Sequence, residues 1–217
     1  MRIGVLGTGM VGETIGAKLI SLGHDVRMGS RSATNAKAAA WANAHGDRAS
    51  HGTFAGAAEF GELLFNCTPG GKAVEVLRAA TIASTAGKVL VDVSNPLDYS
   101  RGFPPSLTVC NTDSIGERIQ REFPRIRVVK TLNTMNCKVM VDPSRVPGPH
   151  DVFVSGNDAV AKDVVIALLR SFGWEQPIDL GDITTARGPE MMLAIWVRLY
   201  AALRTGDFNL HVARAGV

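Results

Sequence analysis

Apolar residues fall along this chain in short runs of two alternating kinds. Arg2-Ile3-Gly4-Val5-Leu6 is a brief apolar run that stops at Gly7-Thr8-Gly9. Over residues 10–22, Val11, Ile15, Leu19 and Ile20 recur at helical spacing, and Gly23 follows where a helix commonly ends in the left-handed conformation. Runs at 25–28, 63–67, 88–93, 127–132 and 152–155 predict strands, with weaker ones at 48–53 and 177–180. Helical spacing predicts a helix from Ser32, as N-cap, to about residue 44, then helices over 73–83, 114–122 and 159–172, and a long final helix over 187–204. Residues 97–107 and 142–150 carry prolines and read as irregular loops. Strands separated by crossover helices define an α/β fold, a doubly wound and mostly parallel sheet with right-handed connections. Residues 1–183 are expected to form it, with residues 184–217 as a small C-terminal helical segment.

Composition narrows the class. Of 217 residues, 46% are hydrophobic and only 6% aromatic, which suits an aliphatic α/β core and argues against disorder. The formal charge of +3 comes from interspersed residues with no Lys/Arg run, so no nucleic-acid partner is expected. The apolar stretch 191–203 contains Arg198 and is too short to span a bilayer, so no membrane partner is expected either. Cys67, Cys110 and Cys137 include no CxxC pair and give neither a disulfide framework nor a metal site. Together with an N-terminus that enters a strand at Arg2, this predicts a cytoplasmic protein without a signal peptide.

The candidate chemistry begins at the first loop. Gly7-Thr8-Gly9-Met10-Val11-Gly12 matches G-x-G-x-x-G between a strand and a helix, the context that gives this short motif meaning. Gly7 permits the tight turn, Gly9 lets a pyrophosphate approach the backbone, and Gly12 lets helix and strand pack closely. The helix N-terminus then offers open N–H groups to phosphate. Where NAD-binding folds place an acid at the end of the second strand, this chain has Gly29-Ser30-Arg31-Ser32, with no carboxylate between Arg27 and Asp47. Arg31 can grip a 2′-phosphate, Ser30 and Ser32 can donate to it, and Lys37 adds charge one helical turn on. The expected cofactor is therefore NADP(H).

Three later strand ends carry small, polar or proline residues: Thr68-Pro69, Asn95-Pro96 and Asn133-Thr134. Ligands of such sheets sit beyond these ends, where those side chains would meet the ribose and nicotinamide. No acid–base residue, nucleophile or metal set is apparent, so no catalytic side chain is assigned and direct hydride transfer is expected. Lys130 is read as a surface lysine, Asp92 as a strand residue and His150 as part of a turn.

These motifs, together with Val91-Asp92-Val93-Ser94-Asn95-Pro96-Leu97, Asn133-Thr134-Met135 and the final helix, resemble the coenzyme F420-dependent NADP oxidoreductase family. More distantly they resemble the reductase domains of the STEAP metalloreductases. The resemblance implies a Rossmann domain with a deazaflavin stacked on the nicotinamide. Thr8, Gly9, Met10 and Val11 would line the pyrophosphate, and Ser30 and Arg31 the 2′-phosphate. Thr134, Met135 and Asn136 would face the nicotinamide, and Phe208 the deazaflavin. The sequence departs from the family at Asn136-Cys137, which replace a proline-alanine pair, and at Phe208, which replaces an aliphatic residue. The small-molecule redox partner is thus expected to be coenzyme F420. A flavin, a ferric chelate, or an imine or carbonyl remain alternatives, as does a sensor that binds NADPH without turnover. A homodimer through the final helix is expected.

Overall fold

Hydrophobic runs at the predicted spacings become the strands of one sheet in a computed structural model that describes residues 1–215, the side chain of Ile82 excepted. In chain order the first half contains β1 (Arg2–Leu6), α1 (Met10–Ser21), β2 (Asp25–Ser30), α2 (Ala36–Ala44), β3 (Ala49–Thr53), α3 (Phe54–Phe60), β4 (Leu63–Asn66), α4 (Ala73–Ala79), α5 (Ile82–Thr85) and β5 (Val89–Asp92). The second half contains β6 (Leu97–Asp98), β7 (Ser106–Leu107), α6 (Ile115–Glu122), β8 (Arg127–Thr131), α7 (Cys137–Val141), β9 (Phe153–Ser155), α8 (Ala159–Phe172), β10 (Ile178–Gly181), α9 (Arg187–Met191) and α10 (Leu193–Leu203). Gly216 and Val217, the end of the expected C-terminal segment, lie outside the described residues.

The large sheet runs β10-β9-β8-β5-β4-β1-β2-β3, with β6 and β7 forming a separate antiparallel hairpin. The chain leaves β1 toward β2 and β3 on one side, then returns to β4, β5 and β8 on the other, which creates a switch point between β1 and β4. Neighbours are parallel except β8 and β9, so β9 and β10 run against the rest. Between β8 and β9 the chain makes the five-residue α7, a single 3-10 turn at Pro143–Arg145 and irregular segments, and an antiparallel neighbour needs no full crossover.

Both faces of the sheet's inner strands are buried, while the edge strands β3 and β10 are partly exposed. Ile3, Val5, Val26, Met28 and Val129 pack under α1, α2 and α8 on one side. Leu64, Leu90 and Val128 meet Leu77, Ile119 and Ile183 on the other. Burial on both sides explains why the strands read as continuous apolar runs rather than alternating ones.

Four expectations change in detail. Asn35, not Ser32, caps α2: its side chain accepts from Ala38 N at 3.0 Å, while Ser32 Oγ accepts from Thr34 N within a preceding turn. The helix expected over 73–83 breaks at Thr81, which turns left-handed at φ 64°, so α4 and α5 are separate. The loop 97–107 contains the β6–β7 hairpin, and the final helix is interrupted at Met192 before α10 ends at left-handed Arg204. Helices α3 and α7 had no counterpart in the hydrophobic pattern.

Candidate functional site

A cleft of about 770 Å³ opens beyond the carboxyl ends of β1, β2, β4 and β5. Its floor is the first glycine loop. Gly7 has φ +121°, a conformation that L side chains rarely adopt, and its N–H donates to Gly29 O at 3.0 Å. A Cβ on Gly12 would run into the carbonyl oxygen of Gly7, so α1 can sit this close to β1 only with glycine there. Gly9 occupies the N-cap of α1, and among the described residues no side chain caps that helix. The first N–H groups of α1 are therefore open to a ligand, and its dipole adds positive potential. Thr8, Gly9, Met10 and Val11 line the cleft with Gly7, whereas Gly12 lies behind them.

At the end of β2 the cleft is lined by Ser30 and Arg31. Arg31 is exposed and, among the described residues, makes no hydrogen bond or ion pair. Ser30 is buried and donates its hydroxyl to Ser32 O. Ser32 and Lys37 are exposed outside the cleft lining. Across the mouth, Lys72 pairs with Glu75 at 2.8 Å, and that hydrogen bond holds the Glu75 carboxyl below its usual value, with a weaker pull from Arg31.

The opposite wall comes from the loops after β4 and β5. Cys67, Thr68 and Pro69 line it, with Val93, Ser94 and Asn95 beyond, and Leu97 and Tyr99 of the hairpin complete it. Burial, then the nearby Asp92 carboxylate, push the Cys67 thiol up, which keeps it protonated and a poor nucleophile. Pro96 is buried just behind this wall.

Beneath these loops lies a group that sequence reasoning missed. Lys130, expected at the surface, is 1% exposed and donates to Asp92 Oδ2 at 2.8 Å, Glu190 Oε1 at 2.8 Å and Ser94 O. Burial alone would lower its pKa, but the two carboxylates outweigh that and raise it, so the ammonium persists. The isolated polar letters in the apolar runs Val91-Asp92-Val93 and Val129-Lys130-Thr131 were the available signal, while Glu190 gave none.

The loop after β8 turns at Leu132, which is left-handed at φ 61° without being glycine. That turn brings Asn133 to Asn95: Asn95 Nδ2 donates to Asn133 O at 2.8 Å, and Asn133 Nδ2 donates to Asn95 Oδ1 at 2.9 Å. Asn133, Thr134 and Met135 are buried, and Asn136 caps α7 through Lys138 N. Phe208 stacks on Trp196, which stacks on Tyr200. None of these last residues lines the cleft directly. His150 lies in an irregular stretch before β9 rather than in a turn, and bonds Pro143 O and Asn209. Among the described residues, no group of three acidic, histidine or cysteine side chains could hold a metal, and no helix is long and apolar enough to cross a membrane.

A doubly wound sheet whose first turn is a glycine loop running into an uncapped helix, below an open cleft at the switch point, defines a dinucleotide-binding protein of the Rossmann class. Residues 2–96 match the family described as NADP oxidoreductase, coenzyme F420-dependent. A solved structure from Arthrobacter sp. FB24, a candidate F420-dependent NADP reductase, is 50% identical with a TM-score of 0.93, covering 99% of this chain and 100% of that one. Two curated proteins are similar. The F420-dependent NADP reductase of Methanocaldococcus jannaschii is 28% identical over 114 residues, 52% of this chain and 51% of that protein. Metalloreductase STEAP3 of Rattus norvegicus is 28% identical over 197 residues, 87% of this chain and 36% of that protein. The chain therefore spans only about half, or about a third, of the curated relatives it matches. It belongs to the F420-dependent NADP oxidoreductase family, as its motifs implied.

Proposed function

We propose that this protein binds NADP(H) in the cleft and passes hydride between the nicotinamide and a second redox cofactor, coenzyme F420. The observation that carries the reading is Arg31, a cation beside the cleft with no direct partner among the described residues and no acid at the end of β2. An adenosine 2′-phosphate supplies the missing counter-charge, whereas a bare ribose would leave it unmatched. The open N–H groups of α1 suit a pyrophosphate, and the cleft volume lies within the range of cofactor sites.

In this reading the bound nucleotide supplies the hydride, and the chain's residues bind, orient and exclude water. Gly7, Thr8, Gly9, Met10, Val11 and Gly12 shape the phosphate loop. Ser30, Arg31, Ser32 and Lys37 select the phosphorylated adenosine. Thr68, Pro69, Asn95, Pro96, Asn133 and Thr134 order the ribose and nicotinamide end, and Met135, Asn136 and Phe208 back the acceptor ring. Hydride passes directly between two stacked rings, and the proton that completes the reduced acceptor comes from solvent, so no side chain is assigned as its donor. Residues 1–183 hold the nucleotide, and residues 184–217 close the acceptor side. Helix α10 buries only Leu193 and Val197 while Ile195, Tyr200 and Leu203 are exposed, so we read its outer face as the contact with a second copy of this chain.

The similarity to STEAP3 favours a second reading, in which the acceptor is a flavin or a ferric chelate. Anaerobic mixing of the NADPH-loaded protein with F420, FMN and ferric citrate separates the two by loss of nicotinamide absorbance. Oxidation by F420 alone supports the proposal, and oxidation by FMN or ferric citrate alone replaces it with the second reading. Oxidation by none of them leaves an imine or carbonyl acceptor or an NADPH sensor.

A further inference from the structure

A polar rung crosses the sheet at the level where the cofactor loops begin. Asn66 on β4, Asp92 on β5, Lys130 on β8 and Ser155 on β9 are successive register partners, and each is at most 1% exposed. Asp92 Oδ1 accepts from Asn66 Nδ2 at 2.8 Å and from Ser94 N at 3.2 Å. Asn66 Oδ1 in turn accepts from Thr68 N and from Thr68 Oγ1 at 2.6 Å. Lys130 joins Asp92 to Glu190 and also holds Ser94 O. Glu190, 1% exposed, reaches in from α9 and accepts from Ile115 N at 2.7 Å and Gly116 N at 3.1 Å at the start of α6.

Apolar residues would pair these strands at least as well, since a buried ion pair is weak support for stability. What apolar residues could not do is hold the loops. The rung hydrogen-bonds the backbone of two cleft-lining residues, accepting from the N–H of Thr68 and holding Ser94 at both its N–H and its carbonyl. Asn95, the next residue, is tied in turn to Asn133. A carboxylate on the C-terminal segment is thereby connected through one ammonium to the turn at the nicotinamide end of the cleft.

We propose that Glu190 is a positioning residue for hydride transfer: through Lys130 it fixes the Ser94-Asn95 turn, and so ties the C-terminal segment to the geometry of the nicotinamide. This inference rests on the reading that places the nicotinamide beside Asn95. Glu190 touches neither ring, and its effect falls on orientation rather than on cofactor affinity. Glu117 provides the contrast. It clamps the same two helices through Arg187, with Nε–Oε2 at 2.9 Å, but does not reach the rung.

The test compares Glu190→Gln and Glu117→Gln in the full chain. Three quantities are measured: NADPH affinity by titration, fluorescence anisotropy of the bound nicotinamide, and single-turnover hydride transfer to F420. Glu190→Gln is expected to bind NADPH within about threefold of the parent, to transfer hydride about tenfold or more slowly, and to lower the anisotropy. Glu117→Gln is expected to lose stability with rate and anisotropy unchanged. Equal loss in both variants, or unchanged rate and anisotropy in Glu190→Gln, overturns the proposal. Should Glu190→Gln not fold, Glu190→Asp keeps the charge but draws it back from Lys130, and the same split is expected. If the parent protein fails to reduce F420, the proposed acceptor is wrong, while the anisotropy comparison still decides the role of Glu190.

Discussion

Arg31 and Lys130 are both cations at the carboxyl ends of strands in one sheet, and the fold treats them in opposite ways. Lys130 is buried against two carboxylates and a carbonyl, because an ammonium removed from water must find its partners within the protein. Arg31 is exposed beside the cleft and has no such partner among the described residues. A solvated guanidinium needs none, and it can meet an incoming anion without first breaking a bond. The contrast separates two uses of charge: one holds the loops still, and the other remains available for ligand.

The sharpest way to break this comparison is Lys130→Met. It leaves Asp92 and Glu190 as two buried carboxylates without a cation and should destabilise the fold by about 3–5 kcal/mol in urea denaturation. A loss under about 1 kcal/mol would mean that the rung is not a tightly coupled network.

Arg31→Ala should act in the complementary manner. Stability stays near the parent value, and NADPH affinity falls by about 1.5–3 kcal/mol while NADH affinity hardly changes. Titration of both nucleotides checks it, and equal weakening of the two would remove Arg31 as the selecting group.

Gly12→Ala tests the loop between these extremes. Its Cβ meets the Gly7 carbonyl, so overpacking should destabilise by about 1–3 kcal/mol and weaken both nucleotides together. Loss of NADPH binding alone would contradict that reading.

The smallest effect belongs to a surface cluster that resembles neither extreme. The Arg121 hydrogen bond, with help from Arg118 and against partial burial, holds the Asp113 carboxyl well below its ordinary value near 3.8. A depressed carboxylate contributes stability above its unfolded pKa, and the contribution is lost as pH falls toward the folded value. Asp113→Asn should therefore lower stability by about 0.5–1 kcal/mol at neutral pH. The gap from the parent should close as thermal melts are taken below the ordinary carboxylate range, and a gap that widens in acid would reverse the assignment.

Legibility along the chain followed burial. The parallel strands could be read because burial on both faces leaves nearly unbroken apolar runs, and α1 because its glycine loop and helical spacing are both local. Helix α3 was missed because Phe54-Ala55-Gly56-Ala57-Ala58-Glu59-Phe60 is short and holds a glycine, and its cap Thr53 ends a strand. Ser32 and Asn35 are both good caps, and only the path of the chain out of β2 chose between them. In the candidate site, Gly7 to Val11, Ser30, Arg31, Thr68, Pro69 and Asn95 were expected and line one cleft. The Asn133 to Asn136 loop and Phe208 lie outside that lining.

The sequence by itself determined the α/β alternation, the glycine loop and the missing acid after β2, because each depends on residues adjacent in the chain. Tertiary structure decided which charges are paired. Lys130 lies 38 positions from Asp92 and 60 from Glu190, and only strand register and the return of α9 to the sheet bring them within bonding distance. A lone lysine in an apolar strand looks the same in sequence whether it faces water or a carboxylate. The difference is desolvation, which exists only once the chain has packed.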